Sequence, residues 1–160
     1  MKIERTRVPG VLIFTPDVYK DDRGYFKETV NPFYQFKPVQ GNMSVSHKGV
    51  IRGLHFQKNT AKLVWVAKGS IYDLALNPET GEWVGETLTA DNHKQLLVPA
   101  NFAHGFQALE DDTIVCYLMD QYYNPKTEGG FNPLVPTIEW PEADFHLSDK
   151  DASAAQYPGE

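Results

Sequence analysis

The sequence has 160 residues, of which 41% are hydrophobic, so it is long enough to bury one proper core. No linker-like run or internal repeat divides it, and we expect a single domain over residues 1–160. The formal net charge of −6 argues against a protein that binds the nucleic-acid backbone, which normally presents a basic face, although a small anionic ligand needs only a few local cations. Residues 1–5 lack the long apolar run of a signal peptide or membrane span, so we expect a cytoplasmic protein that does not bind membranes.

Short β-branched and aromatic runs, separated by glycine, proline and asparagine, follow one another along the chain. The runs occupy residues 11–14, 63–67, 71–76, 83–88, 95–98 and 113–119. Such spacing predicts antiparallel strands in a sandwich or barrel. Helical periodicity is weak, with one turn expected near residues 32–36 and a short helix or loop after residue 147. The sequence therefore predicts an all-β fold.

Polar residues interrupt two of these runs. Asp73 lies on the strand face of Ile71 and Ala75, where a buried carboxylate must either face a ligand cavity or accept hydrogen bonds from a neighbour. Tyr117 alternates with apolar residues in its strand, and from this pattern alone it is an ordinary packing residue. Cys116 is the only cysteine, so no intramolecular disulfide can form, and we expect a buried thiol in a strand.

Two stretches, residues 49–57 and 98–106, have the outline of the two metal-binding cupin motifs. His55 and His104 occupy the places of the first and last histidine ligands. Gln57 stands where a second histidine belongs, and Lys62 stands near the place of the glutamate ligand. Because an ammonium group repels a divalent cation and two histidines alone make a poor site, we expect neither a metal nor another cofactor.

A cavity without metal that contains these residues suits proton transfer next to a ketone. A neutral His55 is a general base near physiological pH, and Lys62 can stabilise negative charge that develops on an oxygen. A tyrosine on the opposite wall would return the proton to the other face of the carbon, which is epimerisation. The combined spacing of Arg52, His55, Gln57, Lys62 and His104 favours this chemistry over a purely structural role for His55.

Over nearly its whole length the sequence resembles the dTDP-4-dehydrorhamnose 3,5-epimerase family. The motifs that carry the resemblance occupy residues 22–28, 40–44, 52–57, 62–64, 98–106, 117 with 122–123, 138–141 and 147–151. The resemblance implies that His55 is the catalytic base and that Asp151 pairs with it and orients it. It also implies that Tyr117 is the acid on the opposite face and that Lys62 lies near the C4 oxygen. The substrate-binding positions that it implies are Arg23, Phe26, Glu28, Gln40, Asn42, Arg52, His104, Tyr123, Glu128 and Lys150.

Two segments depart from the family pattern. Family members usually carry an Asp-x-Arg run and a Ser-Pro-Thr-Phe-Gly segment where this chain has only residues 77–83, and residues 29–39 are also trimmed. The catalytic positions are intact. The departures bear instead on which nucleotide and sugar are bound, and on how many centres are inverted.

The resemblance implies a cupin-type double-sheet jelly roll with short peripheral helices, assembled as a homodimer. The implied reaction is inversion at C3 and C5 of dTDP-4-dehydro-6-deoxy-D-glucose, with the dTDP-linked sugar as the small-molecule partner. One alternative is an epimerase that acts at one centre only, or on another nucleotide sugar. A second is a non-catalytic cupin that binds a sugar nucleotide as a sensor or scaffold, which His55, Tyr117 and Asp151 disfavour. A third is a metal-dependent cupin such as a dioxygenase, which Gln57 and Lys62 disfavour.

Overall fold

The strands form where β-branched and aromatic residues accumulate, and they stop at glycine, proline and asparagine. A computed structural model describes residues 1–159, and Glu160, the last residue of the predicted domain, lies outside the described residues. The strands are β1 (Lys2–Arg5), β2 (Leu12–Thr15), β3 (Val18–Asp21), β4 (Gly24–Lys27), β5 (Gln40–Ser46), β6 (Ile51–Gln57), β7 (Lys62–Lys68), β8 (Ser70–Leu76), β9 (Trp83–Thr89), β10 (Gln95–Val98), β11 (Ala103–Ala108), β12 (Thr113–Met119) and β13 (Glu128–Gly130). A 3-10 helix covers Pro32–Tyr34, and the α-helix α1 covers Asp149–Ala152.

The strands form two sheets and a separate hairpin. The first sheet has six strands in the order β1-β2-β10-β7-β12-β5, and the second has five in the order β13-β6-β11-β8-β9. Strands β3 and β4 pair only with each other in residues 1–159. Neighbours in both sheets run antiparallel, so the predicted all-β architecture with short peripheral helices is confirmed.

The main core lies between the two sheets. Val64, Leu96 and Val115 of the first sheet belong to the same cluster of buried side chains as Ile71 and Leu88 of the second. All five are almost fully removed from solvent, and burying an aliphatic side chain of this size contributes about 1.5–3 kcal/mol. This shared core holds the two sheets face to face.

The six runs of residues predicted as strands all contain strands, and the predicted turn near residue 32 is the 3-10 helix. Cys116 lies in β12 as expected, but it is half-buried, so the expectation of a buried thiol was wrong. Its side chain is on the outer face of the first sheet, because Tyr117 and Val115 take the inner positions.

No helix in residues 1–159 has the length and apolar character needed to span a bilayer.

Candidate active site

A cavity of about 470 Å³ opens between the two sheets. The first sheet lines it with side chains such as Lys62 and Tyr117, and the second with His55 and His104. Helix α1 closes one side with Asp151. A smaller adjoining cavity of about 260 Å³ shares His55, Lys62 and Tyr117 with the larger one. The two together form one candidate site, with walls contributed by both sheets.

His55 and Asp151 form a close hydrogen-bonded pair. His55 Nε2 lies 2.6 Å from Asp151 Oδ1, and the other carboxylate oxygen accepts a hydrogen bond from the backbone of Gly53 at 3.2 Å. Asp151 is buried, and these two contacts satisfy a carboxylate that would otherwise be costly to remove from water. Ser148 caps α1 by accepting a hydrogen bond from the Asp151 backbone at 3.1 Å. When His55 is neutral and its proton is on Nε2, Nδ1 is left as the basic nitrogen.

Tyr117 and Lys62 lie on the opposite wall. In the register of β12 and β7, Tyr117 is paired with Val64, and Met119 is paired with Lys62. Tyr117 and Met119 are two residues apart and point to the same side, so the Tyr117 and Lys62 side chains lie on the same inner face of the sheet. Lys62 Nζ is 6.0 Å from the centre of the Tyr117 ring. Desolvation raises the pKa of the Tyr117 phenol, so the hydroxyl keeps its proton at neutral pH. Desolvation also lowers the pKa of Lys62, against the opposing fields of Asp73 and Glu128.

A second histidine–aspartate pair supports the floor of the cavity. His104 Nε2, on β11, lies 2.6 Å from Oδ1 of Asp73, on β8. Asp73 is completely buried, so its side chain holds the ring of His104 rather than contacting a ligand directly. The sequence predicts His104 as a site residue and leaves two alternatives for Asp73, which either faces a ligand cavity or accepts a hydrogen bond from a neighbour. The structure shows the second alternative. The signal in the sequence was the position of Asp73 as a carboxylate between apolar residues of one strand face.

Arg52 is anchored along β5. Its Nε donates to Ser46 Oγ at 3.0 Å and its Nη2 donates to the carbonyl of Val45 at 3.1 Å. These contacts do not use Nη1, and the side chain lines the larger cavity. A guanidinium held in this way can bind a phosphate or carboxylate oxygen.

Gln57 has a structural role at the place of a metal-binding histidine. Its Nε2 donates to Thr60 Oγ1 at 2.8 Å and to the carbonyl of Tyr122 at 2.9 Å, and its Oε1 accepts from the backbone of Asn124 at 2.8 Å. The amide is therefore committed to the surrounding loops. In the part of the chain that the structure describes, no three histidine, cysteine or carboxylate side chains are placed to hold a metal ion. This set of donors does not fit the metal of a cupin site.

Polar residues surround the mouth of the smaller cavity. Tyr123 donates its hydroxyl to Glu128 at 2.8 Å, and Lys150 Nζ lies 3.5 Å from the other oxygen of that carboxylate. Burial alone would raise the pKa of Glu128, but the hydrogen bond from Tyr123 and the charge of Lys150 hold it below its ordinary value. Gln40 accepts from the backbone of Tyr123 at 2.8 Å and donates to Asn42 at 3.1 Å. The five predicted residues thus form one connected group.

Three predicted residues lie away from the cavity. Arg23, on the β3–β4 hairpin, forms an ion pair with Asp21, and Phe26 exposes 65% of its surface. Glu28, just after the hairpin, accepts a hydrogen bond from Asn31 at 3.3 Å. None of the three lines either part of the candidate site. Within one chain, the structure therefore does not bring them together with the other predicted residues.

Sequence reasoning also missed residues that line the larger cavity. They include Ser44 on β5, Phe106 on β11 and the segment from His146 to Ser148. Ser44 and Phe106 belong to strands that the sequence indicated only through motifs, so their inward direction could not be assigned. The later segment reaches the cavity because the backbone of His146 pairs with the residues on either side of Val50.

Comparison with known proteins gives one consistent result. Residues 5–158 match the family model for dTDP-4-dehydrorhamnose 3,5-epimerase. The curated enzyme of that name from Methanothermobacter thermautotrophicus is 41% identical, over 92% of this chain and 89% of its own length. The enzyme of that name from Shigella flexneri is 37% identical, over 98% of this chain and 96% of its own length.

Solved structures agree with the sequence match. A dTDP-6-deoxy-D-glucose-3,5-epimerase from Legionella pneumophila, in complex with dTDP-4-keto-L-rhamnose, is 35% identical with a TM-score of 0.92, covering 98% of this chain and 92% of that one. A 3′-monoepimerase from Streptomyces bikiniensis, in complex with dTDP-quinovose, is 28% identical with a TM-score of 0.88, covering 95% and 86%. The predicted cupin-type double-sheet jelly roll is therefore confirmed.

Proposed function

Because this chain belongs to the dTDP-4-dehydrorhamnose 3,5-epimerase family, we propose that it converts dTDP-4-dehydro-6-deoxy-D-glucose to dTDP-4-dehydro-L-rhamnose. The observation that carries the proposal is the division of the cavity into two walls. One wall holds the His55–Asp151 pair, and the other holds Tyr117 and Lys62. The match over residues 5–158 also supports the expectation of one domain.

The first chemical step is removal of a proton beside the ketone. The C4 carbonyl acidifies the hydrogens on C3 and C5. One base therefore serves both centres, provided that the sugar ring turns in the cavity between the two steps. Nδ1 of His55 accepts the proton, and the C–H bonding electrons become the double bond of an enolate. The Asp151 carboxylate, 2.6 Å from Nε2, stabilises the imidazolium that forms.

Lys62 stabilises the enolate oxygen. The negative charge that leaves carbon accumulates on the C4 oxygen, and an ammonium inside a partly desolvated cavity interacts with that charge more strongly than it would in water. The lowered pKa of Lys62 makes its ammonium N–H groups more acidic, and so stronger hydrogen-bond donors to this oxygen. The residue thus acts as a hydrogen-bond donor to the oxygen without needing a metal ion.

Tyr117 completes the inversion. Its hydroxyl donates a proton to the carbon from the side opposite His55, and the enolate electrons return to re-form the carbonyl at C4. The raised pKa of Tyr117 keeps the donor protonated until the strongly basic enolate is present. The imidazolium then releases its proton to solvent and the tyrosinate regains one, which restores both groups.

The nucleotide part of the substrate needs contacts of its own, besides the catalytic groups. We assign Arg52, Gln40 and Asn42 to the diphosphate and nucleoside in the same chain. Arg23, Phe26 and Glu28 are predicted to bind the nucleotide, yet they lie outside the cavity of their own chain. This arrangement supports a homodimer in which the β3–β4 hairpin of each copy reaches the site of the other. The cytoplasmic location expected from the sequence is part of the same proposal.

One second candidate has a specific observation in its favour. The chain is similar to a monoepimerase, and its segment between β8 and β9 is shorter than the family pattern. Inversion at a single centre would use the same base and acid. It would differ only in whether the sugar ring turns in the cavity to present its second carbon to His55.

Incubation with dTDP-4-keto-6-deoxyglucose in deuterated water tests these possibilities. Product isolated with a chelator present should contain one deuteron at C3 and one at C5, because both protons pass through groups that exchange with solvent. A deuteron at only one centre would identify a monoepimerase, and none at either would identify a protein that only binds. His55→Asn is the control, and it should lose exchange at both centres by about 10²–10⁴-fold while it still binds dTDP.

A further inference from the structure

Ser44 lies on the inner wall of the cavity, although it was absent from the predicted site residues. In β5 its register partner is Val115, and two residues earlier Asn42 is opposite Tyr117. Since side chains in opposite register positions point the same way, Ser44 faces the cavity together with Asn42 and Tyr117. The structure accordingly places Ser44 among the residues that line the larger cavity.

Within residues 1–159, the hydroxyl of Ser44 has no hydrogen-bond partner. Among the described residues, the buried side-chain oxygens and nitrogens without a hydrogen bond are Ser44 Oγ and Asp73 Oδ2. The second has an internal explanation, because Asp73 is held by His104 through its other oxygen. Ser44 has no such explanation, and a buried hydroxyl without a partner destabilises the folded chain. Such a group points to a partner that arrives with a ligand.

A cation is fixed along the same strand, just past Ser44. Arg52 donates to the carbonyl of Val45 and to the side chain of Ser46, the two residues that follow Ser44 in β5. The guanidinium is therefore held where β5 continues past Ser44, and these contacts leave Nη1 for a further one. Both side chains line the larger cavity, where a hydroxyl and a guanidinium suit a ligand oxygen that accepts two hydrogen bonds.

We propose that the Ser44 hydroxyl binds an oxygen of the nucleotide sugar, together with Arg52. A turn about the Cα–Cβ bond moves Oγ between its staggered positions and directs its O–H into the cavity. The oxygen belongs either to the diphosphate or to a hydroxyl of the sugar, and both accept the same two hydrogen bonds. This inference rests on the proposed function, since it takes the nucleotide sugar as the ligand of the cavity.

The test compares Ser44→Ala with the matched control Ser70→Ala. The Ser70 hydroxyl is also sheltered, but it donates to Glu110 at 2.7 Å and lies outside the cavity. Thermal unfolding gives Tm for each ligand-free variant. Calorimetric titration gives the affinity for dTDP and for dTDP-quinovose, a nucleotide sugar that lacks the 4-keto group needed for enolate formation.

Ser44→Ala should leave Tm unchanged or raise it, and it should weaken binding by about 3–10-fold, the range for one neutral hydrogen bond. Ser70→Ala should do the reverse, with a lower Tm and unchanged affinities. Equal losses for dTDP and dTDP-quinovose would assign the oxygen to the diphosphate, and a loss for dTDP-quinovose alone would assign it to the sugar.

Unchanged affinities in Ser44→Ala, or a fall in its Tm as large as that of Ser70→Ala, would overturn the assignment of Ser44. Failure of the unmodified chain to bind either nucleotide would be a different result, because it would overturn the proposed function and this inference with it.

Discussion

At the scale of single residues, the base and the acid can be separated by experiment. Tyr117→Phe removes one hydroxyl and leaves the ring that packs against the core, so the fold and dTDP binding should persist. His55 would still take the proton and return it from the original side. We expect deuterium to enter the sugar from heavy water while the inverted product falls by about 10²–10⁴-fold. Isotope analysis of both recovered substrate and product measures the two rates.

Inversion of both centres at the parental rate in Tyr117→Phe would show that Tyr117 is a packing residue. Tyr123, whose hydroxyl is held by Glu128 at the mouth of the cavity, would then be the next proton donor to test.

Lys62 should reduce the stability of the free protein, although catalysis needs it. Its pKa is lowered in the folded state by burial, so between that lowered pKa and the ordinary value of 10.5 the unfolded chain binds more protons than the folded one. Stability therefore rises with pH through this interval, and below it the charged lysine disfavours folding. Lys62→Met should raise Tm at neutral pH and lower turnover by about 10²–10³-fold.

The gain in Tm for Lys62→Met should shrink as the pH approaches 10.5, which unfolding curves across the alkaline range would show. Lys68→Met is the control, because it removes an exposed ammonium from the other end of the same strand. A gain that stays constant with pH would attribute the stabilisation to the added apolar surface instead.

At the scale of elements, the short helix α1 matters because it carries Asp151. Asn132, a buried residue just after β13, holds the C-terminal end of this helix. Its Nδ2 donates to the carbonyl of Ala152 at 2.9 Å, and its backbone N–H donates to the carbonyl of Ala155 at 2.8 Å. Its Oδ1 accepts from the backbone of Leu134 at 2.9 Å. Asn132 thus ties the position of Asp151 to the end of the second sheet.

Asn132→Ala should lower the free energy of unfolding by about 1–3 kcal/mol, because it leaves buried backbone groups without partners. It should also lower kcat by about 10–100-fold with little change in KM, because Asp151 would no longer orient His55 firmly. Asn132→Asp is the control, since it keeps the acceptor for Leu134 but loses the donor to Ala152. A fall in stability with an unchanged kcat would show that α1 keeps its position without this clamp.

Sequence alone predicted the strands that are mostly apolar, such as β8 and β12. Strand β5 was not predicted because its inward side chains, Gln40, Asn42 and Ser44, line a cavity and break the usual alternation of apolar and polar residues. The His55–Asp151 pair could not follow from spacing, since its partners are 96 residues apart and meet only through the tertiary fold. The motifs predicted which residues carry chemistry, whereas the direction of each side chain required the strand register.

At the scale of the whole molecule, the detached β3–β4 hairpin makes a prediction about assembly. If each hairpin completes the site of a second copy, a chain with Arg23→Ala and a chain with His55→Ala are both inactive alone for different reasons. Mixed dimers would contain one site with both residues intact. After unfolding and refolding an equal mixture, activity should return to about a quarter of the parental level, because half of the dimers are mixed and each has one good site.

Sedimentation of the unmodified chain should give the mass of a dimer under the same conditions. A mixture that stays inactive while dimers form would show that the hairpin acts within its own chain or has no part in nucleotide binding.

The strand order of the first sheet also has a consequence for synthesis on the ribosome. Strand β2 emerges early, yet its inner neighbour β10 begins only at Gln95. Strand β5 likewise cannot pair until β12, which begins at Thr113, has been synthesised. Until then the nascent chain carries strand edges without partners, which favour aggregation and make folding slow. His55 has no hydrogen-bond partner until Asp151 has also been synthesised. A chain stalled between residues 119 and 151 would therefore contain every strand of the first sheet and the proposed catalytic acid, but its base would have no partner to orient it.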